Sequence, residues 1–150
     1  MSDRAAVSHH IWEGWFTITT PSMWSQEEQN GVILLCDDEH GAGALQLSLA
    51  TRNKSEPASP DEAEALARRF ASGCGWRPDS FERIRLAGSA ACRFTYVEPT
   101  SPPTFWEVWK IVDDSRAATI TYNCFAEDEP AEREVRHSVV SSFRWLPRTD

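Results

Sequence analysis

Midway along this chain, Ser59-Pro60-Asp61-Glu62 sets an N-cap hydroxyl, a first-turn proline and a capping-box carboxylate in consecutive positions, so a helix must start there. Its apolar positions Ala63, Leu66, Ala67, Phe70 and Cys74 fall on one stripe, and Gly73 and Gly75 supply residues able to end it. Such a helix has to lie on something flat and apolar. On either side of it the sequence alternates at period two, as strands do, which confines the fold to strands, helix and strands again.

Residues 12–20 read as a first strand, with Trp12, Phe16 and Ile18 on one side and Pro21-Ser22 breaking it. Residues 32–36 are almost wholly apolar. Residues 44–49 alternate strictly, with Leu45, Leu47 and Leu49 opposite Ala44, Gln46 and Ser48, and the acidic connector 37–43 makes a hairpin of the two segments. Beyond the helix, 81–86 and 91–97 flank Ala87-Gly88-Ser89-Ala90, and 105–112 and 116–125 flank Asp113-Asp114-Ser115, giving two more hairpins. Glu129 and Pro130 open a last helix with the stripe Ala131, Val135, Val139 and Phe143. Glu129 to Arg133 and Glu132 to Arg136 are its expected ion pairs, and Pro147 is its stop. Antiparallel hairpins with two amphipathic helices make an α+β layered domain.

A chain of 150 residues has the size of one domain, and with 23 acidic against 15 basic residues it carries a formal charge of -8. That balance opposes binding to nucleic acid or an anionic membrane by the surface as a whole. No apolar run reaches the roughly 20 residues that span a bilayer, and residues 1–11 lack the apolar centre of a secretory leader, so the cytoplasm is the expected location. Cys36, Cys74, Cys92 and Cys124 are widely spaced without a C-x-x-C, which fits free thiols better than disulfides or zinc.

Several elements together resemble the PsbP-like superfamily: Phe16-Thr17-Ile18-Thr19-Thr20-Pro21-Ser22-Met23-Trp24, the apolar hairpin ending in Gly43-Ala44-Leu45-Gln46-Leu47-Ser48, the turn Leu86-Ala87-Gly88-Ser89-Ala90, and a last strand feeding a closing helix. The resemblance covers about residues 12–146 of a single domain spanning 1–150. It implies an α/β/α sandwich with an antiparallel sheet. Members include a photosystem II subunit, a Ran-binding protein and chaperones of type VI secretion effectors, so it implies a non-enzymatic binding role, a bacterial effector chaperone or adaptor among the options. It transfers no functional residue.

Strand register suggests where such binding would occur. A two-residue turn at Asp114-Ser115 sets Trp109 against Ile120, Ile111 against Ala118 and Phe105 against Cys124, with Glu107 opposite Tyr122 on the same apolar face. Aligning Ile84 with Phe94 and Leu86 with Cys92 would put Arg83, Arg85 and Arg93 on the other face with Trp106, Lys110 and Thr121. Arginine and tryptophan dominate binding hot spots, so these residues, joined by Trp15, form the candidate partner-binding face. The plain alternative is a solvated face whose arginines pair with the chain's own carboxylates.

A carboxylate such as Glu107 on an apolar face could also anchor a pocket with Tyr122, as in a small-ligand carrier or enzyme, or reach water or an arginine at the sheet edge. A third reading is an acidic immunity protein masking a cationic toxin, which would show a carboxylate-rich surface. His9, His10 and Glu13, or Asp37, Asp38, Glu39 and His40, lack the spacing of a metal site, and Cys124 with His137 is the only nucleophile-base pair the layout allows. No catalytic residue, metal or cofactor is therefore assigned. The expected partner is a protein, with a homodimer left open.

Overall fold

The computed structural model describes residues 6–52 and 57–147. In chain order the elements are β1 (Val7–Trp12), β2 (Phe16–Pro21), β3 (Ser25–Gln29), β4 (Val32–Cys36), β5 (Gly43–Thr51), α1 (Pro60–Gly73), β6 (Glu82–Leu86), β7 (Ser89–Glu98), β8 (Thr104–Val112), β9 (Arg116–Phe125), α2 (Glu129–Ser141) and β10 (Arg144–Trp145). They build a seven-stranded antiparallel sheet ordered β3-β4-β5-β9-β8-β7-β6 and a three-stranded one ordered β1-β2-β10.

α1 starts where the capping residues require: the Ser59 hydroxyl accepts from the Glu62 amide at 3.2 Å, and Pro60 is the first helical residue. Its buried line is Ala63, Ala67 and Ala71, small enough to bring the helix close to Cys92, Phe94, Val108 and Val112 of the sheet. Cys74, expected on that line, is instead the exposed C-cap, because the helix has ended one residue earlier. Against the opposite face lie α2 and the small sheet, where Phe16, Ile18, Val139, Val140 and Phe143 meet Leu45, Leu47, Trp109, Ile111 and Ile120. The Phe16 and Phe143 rings stack at 5.2 Å, which ties the small sheet to the end of α2.

Residues 12–20 are not one strand. The chain reverses between Trp12 and Phe16, which pair across the turn, so the expected shared side arises from two strands and not one. β3 carries no apolar residue and was invisible to a hydrophobic pattern, yet Asn30 (φ 54) and Gly31 (φ 80) form the left-handed two-residue turn that joins it to β4. That Asn-Gly pair is the signal by which sequence could have placed it.

The β8–β9 register is the expected one, with Trp109 opposite Ile120, Ile111 opposite Ala118, Phe105 opposite Cys124 and Glu107 opposite Tyr122. The β6–β7 register is not. Ile84 faces Ala91 and Leu86 faces Ser89, three places from the expected alignment, because Ala87 (φ 53) and Gly88 (φ 78) alone make the turn. An odd shift moves one strand's side chains to the other face, and the arginines separate as a result.

Candidate interaction surface

Alternation along β6 and β7 places Arg83 and Arg85 on the α1 side of the sheet and Arg93 on the α2 side. Each arginine is engaged within the chain. Arg83 donates to Asp61 at 2.7 Å and Glu64 at 2.9 Å on α1, and Arg85 donates to the Gly88 carbonyl at 2.8 Å. Arg93 donates to Glu82 at 3.1 Å and to Glu107. No single face therefore gathers the three. Trp15 lies in the turn between β1 and β2, half-buried against the α2-side core, with its carbonyl accepting from Leu146 and Arg116.

Glu107 is fully buried, and Tyr122 is not its partner. Both carboxylate oxygens are occupied: Arg136 Nε donates to one at 2.8 Å, Arg93 Nε donates to the other, and His137 Nε2 stands 3.0–3.1 Å from both. Arg136, 1% exposed, lies over the Tyr122 ring at 4.6 Å and near Phe105 at 5.1 Å, so a side chain and not a ligand pocket stands between Glu107 and Tyr122. The Tyr122 hydroxyl donates instead to Glu132 at 2.7 Å, and burial pushes its pKa up. Glu132 also accepts from the Gly43 amide at 2.8 Å, so its expected pairing with Arg136 is replaced by these two bonds. Arg136 turns to Glu129 at 2.6 Å, and Glu129 also holds Arg133, as the helix spacing predicts.

The remaining candidates, Trp106, Lys110 and Thr121, do come together, and for a topological reason. α1 lies mainly over β7 and β8, and less over β6. Beyond its edge the same face continues across β9, β5 and β4, and among the described residues no helix covers it. Pairing sets Val108, Thr121 and Gln46 in one row and Lys110, Thr119 and Ser48 in the next. Gln46 and Ser48 are exposed, Thr119 and Thr121 half-buried. Where this shelf meets α1 there is a groove of about 260 Å³ lined by Val32, Gln46, Ser48, Phe70, Trp106, Thr119 and Thr121.

Trp106 is held in the groove wall by packing at a tilt against Trp76, 5.1 Å between ring centroids, and by its Nε1–H donating to Glu98 at 3.2 Å. The Lys110 ammonium sits 4.8 Å above the Phe70 ring and donates to the Thr119 hydroxyl at 2.5 Å. Burial lowers its pKa to about 8, with the Cys74 thiol acting the other way. Sequence reading missed Gln46, Ser48 and Phe70, although the alternation of β5 had put the first two on one side. What it lacked was the pairing of β5 with β9.

His9 and His10 each bond a threonine of β2, from alternate sides of β1, and Asp37 caps its own loop by accepting from the Glu39 and His40 amides. No group of three potential ligands for a metal occurs among the described residues. His137 points to Glu107 and Trp109, whereas the thiol of Cys124 has Tyr122 as its hydrogen-bonding neighbour. No helix among the described residues is long and apolar enough to cross a membrane.

The layered arrangement of helix, antiparallel sheet and helix defines a class of α+β sandwiches, and solved structures place the chain within it. A protein from Bacteroides thetaiotaomicron superposes with a TM-score of 0.71 at 14% identity over 93% of this chain, which spans 48% of that longer protein. Cyanobacterial PsbP (CyanoP) from Synechocystis gives 0.68 at 13% identity over 95% of this chain and 94% of its own. The Saccharomyces cerevisiae Ran-binding protein Mog1p gives 0.55 at 11%, over 93% and 96%. No protein-family model and no curated protein matches the sequence. The fold is the PsbP-like one, shared with Mog1p.

Proposed function

We propose that this chain is a non-enzymatic protein-binding domain that receives its partner on the uncovered part of the α1-side sheet face. The observation that carries this reading is the groove between α1 and the β9–β5 shelf, where Phe70 and Trp106 stand beside Gln46, Ser48, Thr119 and Thr121. Tryptophan is enriched at binding hot spots, and the hydroxyl and amide groups beside Trp106 offer a partner polar contacts that can be satisfied. The Ran-binding role of Mog1p, a protein of the same fold, supports binding as the use of such a scaffold. A chaperone or adaptor for a secreted bacterial effector is the form of the role we favour. The cytoplasm is the setting proposed for it, since all four cysteines are free thiols. Glu107, with both oxygens committed to cations, offers no carboxylate for acid–base chemistry.

A photo-crosslinking residue in place of Thr121 is expected to trap a discrete partner in cells of the source organism, and the same residue in place of the exposed Glu134 on α2 is not. Thr121→Arg, which fills the groove, should remove that partner from pull-downs. Equal trapping from both positions, or none from Thr121, would dispose of this surface.

A further inference from the structure

Lys110 is an anomaly in an acidic chain. With 23 Asp and Glu available, its ammonium lies half-buried and is paired with no carboxylate among the described residues, its polar contact being the Thr119 hydroxyl. Arg83, Arg93 and Arg116 of the sheet and Arg136 of α2 each hold at least one carboxylate, whereas Arg85 and Arg144 donate to backbone carbonyls. The titratable group that acts on Lys110 is Cys74 at the end of α1, which in turn feels Glu98 of β7, itself engaged with Trp106. Burial and Glu98 both raise the Cys74 pKa, and Cys74 offsets only part of the effect of burial on Lys110.

A desolvated cation with donors to spare is unfavourable unless an anion completes it. Both of its contacts, the Phe70 ring and Thr119, line the groove described above. The groove, at about 260 Å³, is smaller than the ~300–1,000 Å³ of typical small-molecule sites, and it suits one or two side chains of a docked peptide. Resting on the reading of this surface as the partner site, we infer that Lys110 anchors a single carboxylate side chain of the partner, set beside an aromatic or aliphatic residue that packs between Phe70 and Trp106. The hydroxyls of Thr119 and Ser48, in the same cross-strand row as Lys110, can donate to the second carboxylate oxygen. One acid is the expected number, because a run of them would meet the repulsion of a chain with net charge -8.

The probes are the acetylated and amidated pentapeptide Ala-Leu-Glu-Phe-Ala and its glutamine counterpart, titrated into the full chain while the amide shifts of Gln46, Ser48, Thr119 and Thr121 are followed. At pH 7 the glutamate peptide should bind about ten-fold more tightly, the size of one charge-assisted hydrogen bond. The preference should shrink near pH 9.5 as Lys110 loses its proton. It should disappear in Lys110→Met and survive in Lys110→Arg, with circular dichroism confirming that both variants fold. Equal binding of the two peptides, no binding of either, or a preference retained in Lys110→Met would overturn the inference. If trapping from Thr121 persists unchanged in Lys110→Met, the partner site stands and only the carboxylate anchor falls. If Thr121 traps nothing, the surface itself is wrong.

Discussion

Glu107 shows how one side chain can be both the least hydrophobic member of an apolar face and a tie that holds its layers together. It projects from β8 toward α2, where Arg136 and His137 meet it, while Arg93 reaches it from β7. Burying a carboxylate in such a place is tolerable only because every oxygen lone pair faces a cation or a ring N–H. Glu107→Gln keeps the volume and removes the charge, leaving Arg136 buried with less compensation. It should lower stability by about 3–5 kcal/mol, read as a shift in the urea midpoint. The double variant with Arg136→Leu should lose less than the sum of the two single ones, since the second change removes the charge that the first leaves unpaired. Additive losses would mean that the two residues do not act on each other. The presence of an odd carboxylate was legible in the sequence. Its partners were not, because Arg136 is on α2, 29 positions away, and lies on the face that helical spacing had paired with Glu132.

Elements were legible where their turns announced themselves and obscure where they did not. The β8–β9 register followed from Asp114-Ser115, which the structure closes with Asp113 accepting from the Ser115 and Arg116 amides. In β6–β7 both apolar patterns are interrupted by arginines, so more than one alignment satisfied the period, and the left-handed pair Ala87-Gly88 settled it differently. β3, being wholly polar, could be found only from Asn30-Gly31. A further element-scale constraint lies at the start of β5. A Cβ on Gly43 would stand 2.2 Å from the Asn123 carbonyl and 2.9 Å from Tyr122 Cζ and Cys124 Cβ. Gly43→Ala should therefore push β5 off β9 and disturb the amide bond to Glu132, costing about 3 kcal/mol in thermal unfolding. Gly73→Ala, in the last turn of α1 with nothing within 4 Å, should instead be neutral or add up to about 1 kcal/mol. Similar effects of the two changes would contradict the close approach at Gly43.

At the scale of the whole molecule, the sandwich is closed on one side and half-open on the other, and its closed side is fastened by ions as much as by apolar contact. The long-range pairing of β5 with β9 decides which part of the α1-side face stays open, and no local sequence signal carries that information. On the closed side, hydrogen bonds from Arg133 and Arg136 at the start of α2 hold the Glu129 carboxyl down at about 2, against an ordinary value of 4.5. A carboxylate whose folded pKa is depressed stabilises the native state fully above its unfolded pKa. The contribution, of order 3 kcal/mol for a group only 13% exposed, drains away as pH falls from about 4.5 toward 2. Between pH 7 and pH 2 the formal charge goes from -8 to strongly positive, since the 15 Lys and Arg stay charged, the 4 His gain protons and the acids are neutralised, so self-repulsion adds to the loss. The melting temperature should fall steeply below pH 5. Glu129→Gln should begin lower at pH 7 and lose less on acidification, the two curves converging near pH 2. Parallel curves would show that the Glu129 ion pairs within α2 do not contribute to the acid sensitivity, which would then belong to the surface charge alone.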